Sequence, residues 1–164
     1  MNWEAIGAIA ELVGGIGVIA SLVYLATQIR QNTKWLRSTV LESAGTRSSE
    51  IARNAASDAS LSRLMRASLS GTAPMDPDER YRFELYLLSA MRHYEISHAH
   101  FNDGLLNPDQ FAGLRENLRV WLGYENFENW WHDSSVFFNP VFQKLVNELK
   151  EDPRRDWRAG TNKQ

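Results

Sequence analysis

The stretch Leu12–Ile29, LVGGIGVIASLVYLATQI, is an uncharged run of 18 residues. As an α-helix this run spans about 27 Å, and the nearly continuous apolar stretch that begins at Ala5 spans about 37 Å. Both lengths suffice to cross the hydrocarbon core of a bilayer with modest tilt. The stretch therefore predicts one N-terminal transmembrane helix within residues 1–34.

Two other interpretations of this run fit less well. A secretory signal peptide begins with basic residues, whereas this chain begins Met1-Asn2-Trp3-Glu4 and its apolar run is too long. A buried helix of a water-soluble domain is disfavoured because each glycine costs about 1 kcal/mol relative to alanine. The run and its N-terminal flank contain four glycines: Gly7, Gly14, Gly15 and Gly17. Membrane helices tolerate glycine better, since it permits close backbone approach.

The charges of the chain are distributed unevenly around this run. All 18 Lys and Arg residues lie at or after Arg30, and Lys34 and Arg37 follow closely. Because basic residues accumulate on the cytoplasmic side of membrane proteins, we expect the N-terminus outside and the body in the cytoplasm. The net charge of −2 indicates no nucleic-acid partner, and the absence of cysteine excludes disulfides and thiolate metal sites.

One face of the predicted membrane helix is small or polar, whereas the opposite face carries Ile, Leu and Val. The small or polar residues recur at alternating steps of three and four residues: Gly7, Ala10, Gly14, Gly17, Ser21, Tyr24 and Gln28. Membrane helices associate through close packing and interhelical hydrogen bonds, and this face offers both. We therefore expect an interface with copies of this chain or with another membrane subunit, and lipid around the rest of the helix.

Glu11 is the one charged residue between Ala5 and Ile29. A carboxylate costs about 2–3 kcal/mol at the bilayer centre and less near the interface. In one interpretation its side chain reaches the outer headgroups and water. In the other it faces the interior of an oligomer, and the protein is a small channel with Glu11 near the pore.

Residues 35–152 predict an all-α cytoplasmic domain, a bundle of about five to six helices, followed by a polar tail at 153–164. Three Asx-Pro pairs mark helix starts, because the Asx side chain caps a helix and proline suits its first position: Asp76-Pro77, Asn107-Pro108 and Asn139-Pro140. Asp58 is expected to cap a further short helix, and Gly71–Pro74 to form a loop. The helices predicted after the loop run over 77–102, 108–122, 125–133 and 140–150.

Two parts of this body are expected to depart from a regular bundle. The segment 35–56 retains helical character, but Gly45 and the residues around it weaken its middle. Trp130 and Trp131 are adjacent and are not expected to face the same core from one helix. One of them is expected either at the edge of the core or against a neighbouring chain or the headgroup layer.

The opening Met1–Gly7 and the segment Tyr24–Asn32 (YLATQIRQN) resemble a widespread group of small bacterial membrane proteins. The resemblance extends to the body, through four further segments: Arg92–Glu95, Gly104–Leu106, Trp130-Trp131 and Phe138–Phe142. In that group a single N-terminal span precedes a helical body. The resemblance thus implies a single-pass protein of the bacterial inner membrane, and it supplies no catalytic residue.

The long predicted helix 77–102 carries the candidate metal ligands. Glu95 and His98 have the i, i+3 spacing with which bundle proteins present carboxylate and imidazole to one metal, and His100 lies nearby. The alternative is a hydrogen-bond network in which Arg92 pairs with Glu95.

Motifs of the common enzyme classes are absent from the sequence: a Gly-rich phosphate loop, a Gly-x-Ser-x-Gly elbow and a His-Glu-x-x-His helix. The sequence therefore predicts a non-enzymatic structural, scaffold or accessory subunit that uses no cofactor and self-associates through its small-residue face. A homo-oligomeric channel and a membrane-tethered metal protein are the alternatives.

Overall fold

A computed structural model of the protein describes residues 2–69, 75–123 and 125–151, apart from the side chains of Ala5, Ala10, Ser68, Leu69 and Glu125. Over these residues the chain is all-helical and has no strand. The helices are α1 (Trp3–Ser57), α2 (Ala59–Leu69), α3 (Pro77–Asn102), α4 (Pro108–Leu122), α5 (Glu125–Ser134) and α6 (Pro140–Glu151), with a 3₁₀ turn at Ser135–Phe137. The predicted loop 71–74 and tail 153–164 lie outside the described residues.

The chain divides into two compact units, Met1–Thr39 and Val40–Gln164. The first unit is the N-terminal part of α1, in which every described side chain is exposed except Gln28, which is half-buried. Of the described helices, α1 alone is long and apolar enough to cross a membrane; its most apolar window has a mean hydropathy of 2.1 and no buried residue. A helix that is apolar around its circumference is stable in apolar surroundings, either a protein core or a bilayer.

In the second unit, local capping sets the start of α3 and of α4. The Asp76 carboxylate accepts a hydrogen bond from the Glu79 N–H at 2.8 Å, and the Glu79 carboxylate accepts from the Asp76 N–H at 3.2 Å. Asn107 and Gln110 form the same reciprocal pair, with both bonds at 2.8 Å. These capping boxes satisfy N–H groups that a helix start leaves without partners. Both helices consequently have the predicted bounds.

Asx side chains also start α2 and α6. Asp58 Oδ1 accepts from the N–H groups of Ser60 and Leu61 at 2.8 and 3.1 Å. Hydrogen bonds to its carboxylate lower the pKa of Asp58. The Ser60 hydroxyl has the largest effect, and the N–H groups of Leu61 and Ser60 follow. Asn139 Oδ1 accepts from the Val141 N–H at 2.8 Å, at the start of α6. The predicted starts are confirmed, and α5 and α6 each end one residue later than predicted.

The core of the second unit is built from apolar stripes on α2 to α6. On α3 the buried apolar residues recur every three or four positions, the spacing of one helical face: Phe83, Leu87, Ala90, Met91 and Tyr94. On α6 the stripe follows the same rule: Phe142, Leu145, Val146 and Leu149. The core therefore lies between helices that are each apolar on one side.

Trp130 and Trp131 both lie in this core, with exposed fractions of 8% and 3%. The prediction that one of them lies at the edge or meets a neighbour is wrong. Phe138, beyond the 3₁₀ turn, packs against both indoles, with ring centroids 6.2 and 5.2 Å away. Phe127 packs against both from the preceding turn of α5. Because the chain folds back over α5, two adjacent residues find apolar neighbours.

The C-terminal part of α1 belongs to the second unit. Gly45 does not interrupt the helix, which continues to Ser57. Val40 and Ala44 are buried, and the Tyr86 hydroxyl on α3 donates a 3.0 Å hydrogen bond to the Ile51 carbonyl oxygen. Burial raises the pKa of Tyr86 to about 12, so this hydroxyl remains a donor at neutral pH. α1 and α3 are therefore neighbours over residues 40–51.

Candidate functional site

The described members of the small-residue face of α1 are exposed, apart from the half-buried Gln28. A Cβ added at Gly7, Gly14 or Gly17 would meet no atom within 4 Å beyond the helix's own backbone. No packing contact within the described chain therefore requires glycine at these positions. The predicted face member Ala10 has a side chain that lies outside the described part of the structure. The face is open to a partner helix or to lipid.

The polar end of this face is hydrogen-bonded within α1. Ser21 Oγ donates to the Gly17 carbonyl oxygen at 2.9 Å, and Gln28 Nε2 donates to the Tyr24 hydroxyl oxygen at 2.9 Å. In hydrocarbon an unsatisfied polar group costs several kcal/mol, so such internal bonds suit a membrane helix. Glu11 is exposed beside the small-residue end of the face.

Glu95, a predicted metal ligand, is engaged by groups that donate hydrogen bonds. Its carboxylate forms an ion pair with Arg92, and Oε1 accepts the Asn139 N–H at 2.6 Å. Arg92 also donates to the Phe137 carbonyl oxygen at 3.1 Å and lies 4.8 Å from the centre of the Phe138 ring. The predicted Arg92–Glu95 pair is thus confirmed, and it ties α3 to the segment that leads into α6.

His98 and His100 lie in different surroundings. The buried His98 ring stacks on Phe111 with centroids 5.6 Å apart and contacts Phe142, and burial lowers its pKa. Glu95 and His98 line one cavity, whereas His100 lines another. Over the ranges that the structure describes, no three His, Asp or Glu residues are grouped as a metal ion would require. The structure therefore does not bring the three predicted ligands together.

A polar cavity of about 310 Å³ lies between α1 and α3 within the second unit. Its polar lining consists of two arginines, two histidines and three serines: Ser43, Arg47, Ser89, Arg92, His93, Ser97 and His100. The other described lining residues are Val40, Ala44 and Ile96, so none of the described residues of the wall is acidic. The cavity wall therefore contains hydrogen-bond donors and two guanidinium groups, each ion-paired with a carboxylate that lies outside the wall.

His93 is held across the two helices that form this cavity. Its Nε2 lies 2.9 Å from the Ser48 hydroxyl oxygen on α1, and its ring is buried. Burial, followed by the nearby Arg47 guanidinium, lowers the pKa of His93 below its ordinary value. The ring is consequently neutral at neutral pH, with one N–H donor and one acceptor nitrogen.

His100 is a predicted metal candidate, and the cavity itself could not be predicted from the sequence. The sequence contains one indication of the cavity, because Ser89, His93 and His100 share a face of the predicted helix 77–102. The contribution of α1 was not visible, because Ser48 and His93 are 45 positions apart and meet only after the helices pack.

No protein-family model, no curated protein and no solved structure matches this chain. The class of protein is therefore defined by the fold itself. Over its described residues the protein is all-α, with one helix long and apolar enough to cross a membrane and a second, packed helical unit that contains a cavity with polar and apolar lining.

Proposed function

We propose that this chain is a non-enzymatic, single-pass membrane protein that associates with copies of itself through the small-residue face of α1. It serves as a structural, scaffold or accessory subunit, and its helical body is the part presented to the cytoplasm. The observation that carries the proposal is the N-terminal unit, in which apolar side chains are exposed and glycines face open space.

The physical argument rests on what such a helix needs. Burying an apolar side chain contributes about 1.5–3 kcal/mol, and the N-terminal unit exposes more than ten of these side chains, from Ile6 to Ile29. A bilayer covers the lipid-facing side without any further partner. The small-residue face loses little side-chain entropy on association and lets two backbones approach closely, which favours a second copy on that side.

The orientation follows from the charges that flank the helix. With Arg30, Lys34 and Arg37 on one side and no base on the other, the N-terminus lies outside and the body lies in the cytoplasm. The resemblance to small bacterial membrane proteins supports a location in a bacterial inner membrane.

The assembly is tested by the native mass of the full chain extracted in mild detergent. We expect a defined multiple of 18.8 kDa for the unchanged protein. Gly14→Leu is expected to reduce that mass towards the monomer, because the larger side chain keeps the two backbones apart. Gly15→Leu is the matched control: it adds the same side chain to the neighbouring glycine, off the face. An unchanged mass in Gly14→Leu contradicts the interface.

The topology is tested with single cysteines, since the natural chain contains none. We expect Asn2→Cys to react with a membrane-impermeant thiol reagent added to intact cells. Lys144→Cys, whose parent side chain is 79% exposed on α6, is expected to react only after the membrane is permeabilised. Labelling of both positions in intact cells, or the reverse order, contradicts the orientation.

A further inference from the structure

We infer that the cavity between α1 and α3 binds a small phosphate-type oxyanion, either free phosphate or the phosphomonoester end of a larger molecule. The cavity belongs to the helical unit 40–164, so the inference is independent of membrane insertion and of self-association. Its volume of about 310 Å³ is at the lower end of the roughly 300–1,000 Å³ of small-molecule pockets, which favours a compact ligand.

Arg92 is preorganised at one side of this cavity. Its guanidinium is held by the Glu95 carboxylate and by the Phe137 carbonyl oxygen, and it lies against the Phe138 ring. A guanidinium carries five N–H donors in a rigid fork, so these contacts fix its plane and leave donor capacity for a ligand. A fixed fork of this kind matches the oxygen spacing of phosphate.

Arg47 contributes the second guanidinium, from α1. It pairs with Glu50 at 3.1 Å, and its side chain is 64% exposed. Glu50 and Glu95 do not line the cavity, so the wall includes the two arginines and not their carboxylate partners. An anion in the cavity would be approached by charged donors from both helices.

Hydroxyl and imidazole groups complete the wall. Ser43 on α1 and Ser89 on α3 carry exposed hydroxyl groups, and His93 and His100 present imidazoles. Hydroxyl and imidazole donors around two guanidinium groups form a typical environment for an oxyanion, whereas a cation would find no carboxylate on the described wall. Recognition of a tetrahedral oxyanion is the chemistry that this combination of donors supports best.

The site is tested by following the histidine ring signals of the full chain by NMR during titration with inorganic phosphate. The protein is kept in zwitterionic detergent at constant pH and ionic strength. We expect saturable shifts of the His93 and His100 signals. His132, which is 88% exposed and lies away from the cavity, serves as the internal reference for unspecific ion effects. Shifts of His93 and His100 that merely parallel those of His132 overturn the proposal.

Two variants separate binding from structural support. Arg47→Gln is expected to weaken phosphate binding by about tenfold or more, because it removes a charge-assisted hydrogen bond. Glu50→Gln breaks the same surface ion pair but leaves Arg47 free to turn to the ligand, so it is expected to keep or strengthen binding. An equal loss of affinity in both variants would mean that the ion pair only supports the fold, and would contradict the site.

The source of the oxyanion is distinguished in lipid nanodiscs. One preparation contains phosphatidylcholine alone, and the other also contains phosphatidic acid, whose headgroup is a phosphomonoester. If phosphatidic acid shifts the His93 and His100 signals and competes with added phosphate, the site takes a lipid headgroup. If phosphate binds equally in both preparations, the site takes a soluble ligand. Both outcomes support an oxyanion site, and absence of any saturable shift in either preparation contradicts it.

Discussion

Leu22 and Leu87 are residues of the same type in two regions of the chain, and they differ in how far their side chains are exposed. Leu22 on the N-terminal part of α1 is 60% exposed, whereas Leu87 on α3 is fully buried. The most apolar part of the sequence is thus the part without a buried side chain, and the more polar part contains the core.

The arrangement of apolar residues around a helix therefore decides where they are buried. The buried apolar residues of α3 and of α6 lie on one face of each helix, so packing these faces together removes them from water. The N-terminal part of α1 is apolar on most sides, and a single helix has no partner of its own for all of them. In the proposed function, lipid and a second copy of the chain supply this burial.

The largest effect is expected from removing an aromatic side chain from the core. Phe142 is 1% exposed and packs against Trp131, Phe138 and His98. Phe142→Ala is expected to lower the free energy of unfolding by about 3–5 kcal/mol, because it removes apolar contacts and leaves a cavity. Urea unfolding followed by near-ultraviolet circular dichroism measures the change.

Leu22→Ala is the matched variant in the other region. It removes apolar surface that no part of the described chain covers, so we expect the unfolding midpoint of the body to stay where it is. A destabilisation comparable to that of Phe142→Ala would contradict the claim that the two regions differ in how their apolar side chains are covered.

A smaller effect is expected at the start of α3. Asp76→Ala removes the side chain that accepts the Glu79 N–H, and we expect a loss of about 1 kcal/mol. Asp76→Asn keeps an acceptor of similar quality and should retain most of the stability. Thermal unfolding of the three proteins measures this difference. Equal losses in the two variants would mean that the charge, and not the cap, is what matters.

The smallest effect is expected from pH. Burial lowers the pKa values of His93 and His98 in the folded protein, so the unfolded chain binds more protons than the folded chain below the ordinary histidine pKa of 6.5. The free energy of unfolding is therefore expected to fall as pH decreases from 6.5 towards the lowered pKa values, and to be constant with respect to these groups above that range.

Urea unfolding at a series of pH values measures this slope. His98→Gln is expected to reduce the slope, because one of the two buried imidazoles is gone. His132→Gln makes the same substitution at an exposed histidine and is the control for the substitution itself. A slope that is the same in all three proteins would show that the buried histidines do not set the acid sensitivity of the body.

Helix starts could be predicted from the sequence because they depend on neighbours in the chain. Asp76 with Glu79, and Asn107 with Gln110, are three residues apart and form their bonds within one helical turn. The Arg92–Glu95 pair follows the same local rule. The apolar run of α1 could also be predicted from the sequence, since length and composition alone make it a candidate membrane span.

Tertiary structure alone decided the burial of both Trp130 and Trp131 and the pairing of Ser48 with His93. Each depends on residues that are distant in sequence and that meet only when helices pack. Capping and helical periodicity act over three or four residues, and a sequence displays them directly. Which faces meet depends on how all apolar stripes are covered at once, so the cavity with Arg47 and His93 emerges only from the packed fold.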